Sequence, residues 1–266
     1  MEPTLEPKSG FLALRRLKIE LTYEGTNYAG WAFQPDQRTL QGEIESAISK
    51  IARTKVETIV AGRTDAGVHA RQQFIHVDIP QNPLPPDITW DIPNWAYKLN
   101  RILDEDIRIL KVEDAPPGFH ARFSPTQRRY EYKIADDLQI VKPLERFDVE
   151  PWYRKLDIDL MNEAGNYLLG EHDFKAFCKF REDQTTIRTL MKFHWRRAEN
   201  GFLIADVWAN AFCYSMVRNL VGAAVCVGEG RFPKEWVLEV LANKERVSDS
   251  YVFPGRGLTL TEIVLP

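Results

Sequence analysis

The stretch ETIVAGRTDAGVHARQQFIHVDIP, Glu57 to Pro80, divides into three pieces. Its ends, ETIVAG and FIHVDIP, are rich in β-branched and aromatic residues and are bounded by Gly and Pro, the composition of strands. Between them AGRTDAGVHA, Ala61 to Ala70, gathers Arg63, Thr64, Asp65 and His69 into a small-residue turn framed by Gly62 and Gly67. A loop that only reverses the chain needs a glycine and a polar residue or two. This one carries a cation, a hydroxyl, a carboxylate and an imidazole.

Outward from this loop, strands and helices alternate. Leu17, Ile19, Leu21 and Tyr23 alternate with Lys18, Glu20 and Thr22, the period of a half-buried strand. Ile44, Ala47, Ile48 and Ile51 recur at helical spacing between Leu40 and Arg53. NWAYKLNRIL reads as a helix and IRILKVED as a strand. In the second half RRYEYKIAD and GFLIADVWA read as strands, IDLMNEAGNYLLG as a helix stopped by Gly170, and Phe212 to Val227 as an apolar helix. Prolines break regular structure in QNPLPPDITWDIP. The pattern predicts an α+β fold of two α/β lobes, an antiparallel mixed sheet with helices packed on it, and a cleft between the lobes. The boundaries fall at a loose leader, 1–14, an N-terminal lobe, 15–115, that carries the loop, and a C-terminal lobe, 116–266, that carries the apolar helix.

The chain has 266 residues, 44% of them hydrophobic, with net charge −3. A sizeable core is available, and any affinity for a polyanion must come from a local patch. Cys178, Cys213 and Cys226 lie far apart without a C-x-x-C, which predicts free thiols in a reducing compartment. The opening residues do not resemble a secretory signal, and LVGAAVCVG is too short to span a bilayer. A soluble, cytoplasmic protein without membrane contact is expected.

The loop can be tested against known chemistries. Gly62 and Gly67 have the spacing of a phosphate-cradling P-loop, but Val68 and His69 stand where Lys and Ser/Thr are required, so a nucleotide cofactor is not expected. Asp65 and His69 are four apart, yet glycines interrupt any helix between them, and His76, His120, His172 and His194 show no ligand-pair spacing; no metal is expected. No G-x-S-x-G nucleophile motif occurs. What remains is Asp65 as a lone carboxylate, either a turn residue or a working group.

A second segment favours the working group. NAFCYSMVRNLVGAAVCVG is apolar nearly all round the helical wheel, and Arg218 sits within it. A buried guanidinium needs a carboxylate partner, and a carboxylate so paired stays ionised, suited to a nucleophile or an electrostatic stabiliser.

AGRTDAGVHA together with NAFCYSMVRNLVG resembles the TruA family of tRNA pseudouridine synthases. So do YEGTNYAGWAFQ (Tyr23–Gln34), TLQGEIESAI, FHARFSPTQRRYEY (Phe119–Tyr132), GEHDFKAFC and PGRGLTL, in family order along nearly the whole chain. The resemblance implies the pseudouridine-synthase fold and an isomerase that detaches uracil from its ribose, turns it and rejoins it through C5. It implies no cofactor, tRNA as partner, target uridines in the anticodon stem-loop at tRNA positions 38, 39 and 40, and a homodimer. Asp65 aligns with the catalytic aspartate, whether it attacks the sugar carbon or removes a sugar proton. Arg218 matches the basic residue paired with it. Tyr130 matches the active-site tyrosine, which stacks on uracil and assists removal of the C5 proton. Arg63 matches the arginine that engages RNA as the base leaves the stack.

Thr64, His69, Arg71 and Arg38 complete the expected substrate-binding set. Lys50, Arg53 and Lys55 in the first lobe, with Arg188, Lys192, Arg196 and Arg197 of IRTLMKFHWRR in the second, are candidate phosphate contacts. Glu24, Ala32, the Leu103–Asp104 pair, Cys213 and Ser215 depart from the family pattern and leave the choice of uridine open. Two other readings remain, an RNA-binding protein without turnover and a base-releasing glycosidase; the second lacks a partner carboxylate near Asp65 in sequence.

Overall fold

The computed structural model describes residues 13–81, 91–179, 185–243 and 250–266. Most of the leader and the proline-bearing stretch 82–90 lie outside them.

Alternation in the first apolar segment becomes β1 (Leu14–Tyr23), where Leu17, Ile19 and Leu21 are wholly buried and the residues between them are partly exposed. Thr39 caps α1 (Leu40–Ala52), accepting from the Gly42 N–H at 3.3 Å, and the face Leu40, Ile44, Ala47, Ile48, Ala52 turns inward. β2 (Thr58–Val60) and β3 (His69–Pro80) flank the polar loop as an antiparallel pair. α2 (Trp95–Asn100) and β4 (Ile107–Asp114) complete the first half.

The second half runs β5 (Gln127–Ala135), β6 (Glu150–Pro151), α3 (Ile158–Tyr167), β7 (Gly170–Asp173), β8 (Ile187–Arg197), β9 (Leu203–Ala209), α4 (Met216–Gly228), α5 (Trp236–Asn243) and β10 (Leu258–Val264). Among the described residues these strands form one sheet in the order β4-β1-β3-β10-β5-β9-β8-β7, with β2 on β3 and β6 on β5. Neighbours are antiparallel except β10 beside β3 and β6 beside β5.

The last strand therefore joins the halves. Thr259 and Leu260 pair with His69 and Ala70 on one side, while Leu258 to Val264 pair with Tyr132 to Gln127 on the other. The second edge of β3 is shared, β10 taking its first residues and β2 taking Ile75 to Val77. The loop Ala61–Val68 emerges where these two neighbours diverge.

Two sequence expectations are corrected. The apolar helix begins at Met216, not at Phe212, because Ser215 adopts a left-handed conformation (φ 61°, ψ 12°) that a continuous helix cannot hold. Arg218 thus lies in the first turn of α4. Cys178 and Cys213, expected as free thiols, are joined in a disulfide with Cα atoms 5.8 Å apart, and Cys226 is buried outside it. No helix among the described residues is long and apolar enough to cross a membrane.

Candidate active site

The loop is fixed by its backbone and by its inward-facing side chains. The Trp31 N–H donates to Thr64 O at 2.9 Å, Gln73 Nε2 donates to Gly62 O at 2.8 Å, and the Thr64 hydroxyl meets Tyr23 Oη at 2.8 Å in the core. Thr64 is buried, while its neighbours Arg63 and Asp65 face the other way. Close backbone approach fixes the far end of the loop. A Cβ on Gly25 would stand 2.0 Å from Val68 O, and one on Gly255 2.1 Å from Ala66 O, so only glycine admits these two segments against it.

Asp65 meets two donors from the other half of the chain. Arg218 Nη1 lies 3.0 Å from its Oδ2, 153 residues away in sequence, and Ser215 Oγ donates to the same oxygen at 2.8 Å. Arg218 is held in turn by Nε donating to Phe253 O at 2.5 Å. The side chains of Arg218 and Asp65 are 20% and 12% exposed, which weakens solvent screening without sealing the pair from a ligand.

Around this pair opens a cleft of about 680 Å³, within the size range of ligand sites. Trp31, Arg63, Thr64, Asp65, Tyr130 and Phe212 contribute to its wall, as do Ser215 and Arg218. Tyr130 is nearly buried, with its ring edge-on to Phe212 at 5.2 Å. Burial, then the nearby Tyr23 and Asp65, pushes its phenol well above the usual tyrosine range, so it remains a neutral ring and hydroxyl.

Most of the other expected contacts do not line this cleft, and His69, Arg38, Arg71 and three of the second-lobe cations are engaged within the fold. His69 is buried, its Nδ1 accepting from the Gly25 N–H at 3.0 Å and its Nε2 contacting Arg256 O at 3.0 Å. Arg38 binds Asp104 and Asp106 and lies over the Tyr28 ring. Arg71 pairs with Glu131. Lys192, Arg196 and Arg197 reach Asp206, Glu131 and Asp136. Of that basic run only Arg188 lines the cleft.

Other cleft residues were not singled out by sequence. Arg128 donates from Nη1 and Nη2 to four main-chain carbonyls, those of Ala61, Arg122, Pro125 and Asn210, and so ties the loop to the entry of β5. Arg122 lies over the ring of Phe123, which is 73% exposed and stacked on His120. These residues belong to the quoted FHARFSPTQRRYEY segment, and an exposed phenylalanine between arginines was the available signal. Among the described residues, five arginines and a single carboxylate line the cleft of a chain whose net charge is negative. Among the described residues no group of three His, Cys, Asp or Glu side chains is placed to hold a metal.

The family model for tRNA pseudouridine synthase matches residues 21–124 and 164–265. The chain belongs to the tRNA pseudouridine synthase family. Among its relatives, the tRNA pseudouridine synthase A of Frankia casuarinae is 48% identical over 256 residues, spanning 95% of this chain and 90% of that one. That of Streptomyces griseus subsp. griseus is 46% identical, spanning 94% and 88%, and that of Mycobacterium leprae 42%, spanning 94% and 90%. The Asp65 loop and the Arg218 turn both fall inside the segments matched to the tRNA pseudouridine synthase model.

Proposed function

We propose that the protein isomerises uridine to pseudouridine in the anticodon stem-loop of tRNA, at positions 38, 39 and 40, with Asp65 as the working carboxylate. The observation that carries this reading is the Asp65–Arg218–Ser215 cluster at the floor of an arginine-lined cleft. A stacked nucleotide hides its glycosidic carbon, so the target must leave the stack. Arg63, exposed beside Asp65, is placed to fill the gap, and the neutral ring of Tyr130 offers an apolar face for the displaced uracil.

The N1–C1′ bond breaks, uracil turns, a C5–C1′ bond forms, C5 gives up its hydrogen and N1 takes one up. Nothing is oxidised or consumed. Arg218 and Ser215 hold one carboxylate oxygen, which leaves the other to face the sugar, whether it attacks C1′ or takes a sugar proton. Retained as a phenol, Tyr130 serves stacking and hydrogen bonding rather than acting as a resting phenolate base. The resemblance extends the reading to a cytoplasmic homodimer that holds tRNA across both subunits; light scattering of the free protein reads the dimer directly.

The deciding experiment supplies tRNA transcript tritiated at uridine C5 to wild type and Asp65→Asn. Release from wild type alone, with pseudouridine mapped to intact RNA, is expected. Tight binding without release across several tRNA species points to a binder, and abasic sites point to a glycosidase.

A further inference from the structure

Of the five arginines lining the cleft, Arg218 is paired with Asp65, Arg128 donates to four carbonyls, Arg122 rests on Phe123 and Arg63 is exposed to solvent. Arg188 differs from all of them. It is partly buried at the start of β8, its Nη1 donates only to the adjacent Ile187 O at 2.6 Å, and its Nε is buried with no hydrogen-bond partner among the described residues. Nor does it pair with any carboxylate there. Arg129 also has a buried Nε without a partner, but its charge is met by Glu262.

The atoms left over on Arg188, Nε and Nη2, form the side-on edge of the guanidinium. That edge holds anions bidentately elsewhere in this chain. Arg15 uses it on Asp114 at 2.5 and 2.7 Å, and Arg16 uses it on Asp78 at 2.8 and 2.7 Å. Burial disfavours the charged form of Arg188; burial first, and Arg188 in addition, does so for Arg128. Two neighbouring cations short of both water and carboxylate are costly, and an anion between them removes the cost.

We propose that Arg188 is a phosphodiester-binding residue of this site, its Nε/Nη2 edge taking the two non-bridging oxygens of a phosphate that flanks the target uridine. The inference rests on the reading of the cleft as a uridine site. With the sugar at Asp65 and the base against Tyr130, the nearest anion of the same nucleotide is its phosphodiester. Arg128, fixed by carbonyls, supplies a second stationary charge in the same cleft. A contact of this kind grips the RNA backbone without reading sequence, and it holds the nucleotide once its base has left the stack.

The test uses the full-length protein and an anticodon-arm hairpin in which single neutral methylphosphonate linkages replace the phosphate on the 5′ or the 3′ side of the target uridine. Dissociation constants are measured for wild type, Arg188→Gln and Arg188→Lys. One linkage is expected to weaken wild-type binding roughly tenfold, the scale of one lost charge-assisted contact. That linkage should then cost Arg188→Gln nothing further. Arg188→Lys, which keeps the charge and loses the side-on edge, should fall between. If the two losses multiply at both linkages, Arg188 does not touch those phosphates and the proposal fails. Should Arg188→Gln prove unfolded by its melting curve, the Lys variant carries the same comparison. Release of C5 tritium by the wild type is scored separately, so failure of the isomerase reading is seen apart from failure of the phosphate contact.

Discussion

Ser215 occupies the position before α4 in a left-handed conformation, where a serine usually turns its hydroxyl onto the first helical N–H groups. Here the hydroxyl makes no such cap and donates to Asp65 Oδ2 instead. Asn219 braces the arrangement, its main-chain and side-chain N–H groups both donating to Ser215 O, at 3.1 and 2.9 Å. Ser215→Gly therefore separates two effects. Relief of the left-handed strain is worth about 1 kcal/mol, and the extra freedom of an unfolded glycine costs about the same. These backbone effects cancel, and stability should fall by no more than the lost hydrogen bond to Asp65, about 1.5–3 kcal/mol, or roughly 3–12 °C in Tm. Activity loses a hydrogen bond to a carboxylate, about 1.5–3 kcal/mol. At about 1.4 kcal/mol per tenfold, the rate of the chemical step should fall roughly 10- to 100-fold.

Single-turnover release of C5 tritium at saturating enzyme reads that step directly, with a melting curve alongside. Ser215→Asn tolerates the left-handed backbone and keeps an N–H donor, so it should recover most of the loss. A Gly variant that reacts at the wild-type rate would refute the assignment. So would an Asn variant no faster than Gly.

Three further outcomes are expected. Burial, with Arg16 and His120 nearby, lowers the buried His76 to about 4, against 6.5 for a free histidine, and its Nδ1 accepts from the Ala121 N–H at 3.0 Å. The unfolded chain binds a proton there before the folded one does, so stability is full above about pH 6.5 and drains away as pH falls towards 4; His76→Asn, which retains an acceptor, should flatten the acid side of a Tm-against-pH plot, and an unchanged slope would discount this residue. Because the phenol of Tyr130 is raised above the ordinary value of 10.0, no limb of the pH–rate profile near that value should disappear in Tyr130→Phe, while the rate at neutral pH falls; a limb lost with the hydroxyl would make it the base. Gly255→Ala places a methyl 2.1 Å from Ala66 O, and limited proteolysis should show a loosened 61–70 loop with activity falling further than stability; normal turnover would show that the loop accommodates the displacement.

Strands whose burial alternates strictly, such as β1, could be read from sequence because burial on one face imposes a period of two. β8 could not. A register irregularity between Leu190 and Lys192 breaks its alternation, so Leu190, Phe193 and Trp195 are buried without a regular period and the segment reads as a basic run. The start of α4 is hidden in the sequence for a different reason. Phe212 continues the apolar pattern, while the contacts that hold the turn, Cys213 with Cys178 and Ser215 with Asp65, come from far away in sequence. A cation in an apolar helix foretold the need for a carboxylate, since that rests on charge burial and not on local pattern. His69, Arg38 and Arg71 show the opposite limit. Sequence marks them as polar near a functional loop but is silent on whether the fold itself consumes their hydrogen bonds.

The segment Phe253–Leu258 explains why a loop from one half and a helix from the other can share a single carboxylate. Phe253 O accepts from Arg218 Nε while its own N–H donates to Arg218 O, so the side chain and the backbone of that arginine are both held by one residue. Two residues on, Gly255 lies against Ala66, and Arg256 O contacts His69 at the far end of the Asp65 loop. Tyr132 Oη donates to Pro254 O, and Arg256 reaches Glu150. The chain then enters β10, paired with β3 and β5 at once. The separation of Asp65 from Arg218 is thus set through one short segment, Phe253–Leu258, which holds Arg218 at its first residue and lies against the Asp65 loop at Gly255 and Arg256. A cleft held in this way keeps its ion pair in one geometry, which is what a site must do if it is to present a fixed carboxylate to the sugar of a nucleotide drawn out of a folded tRNA.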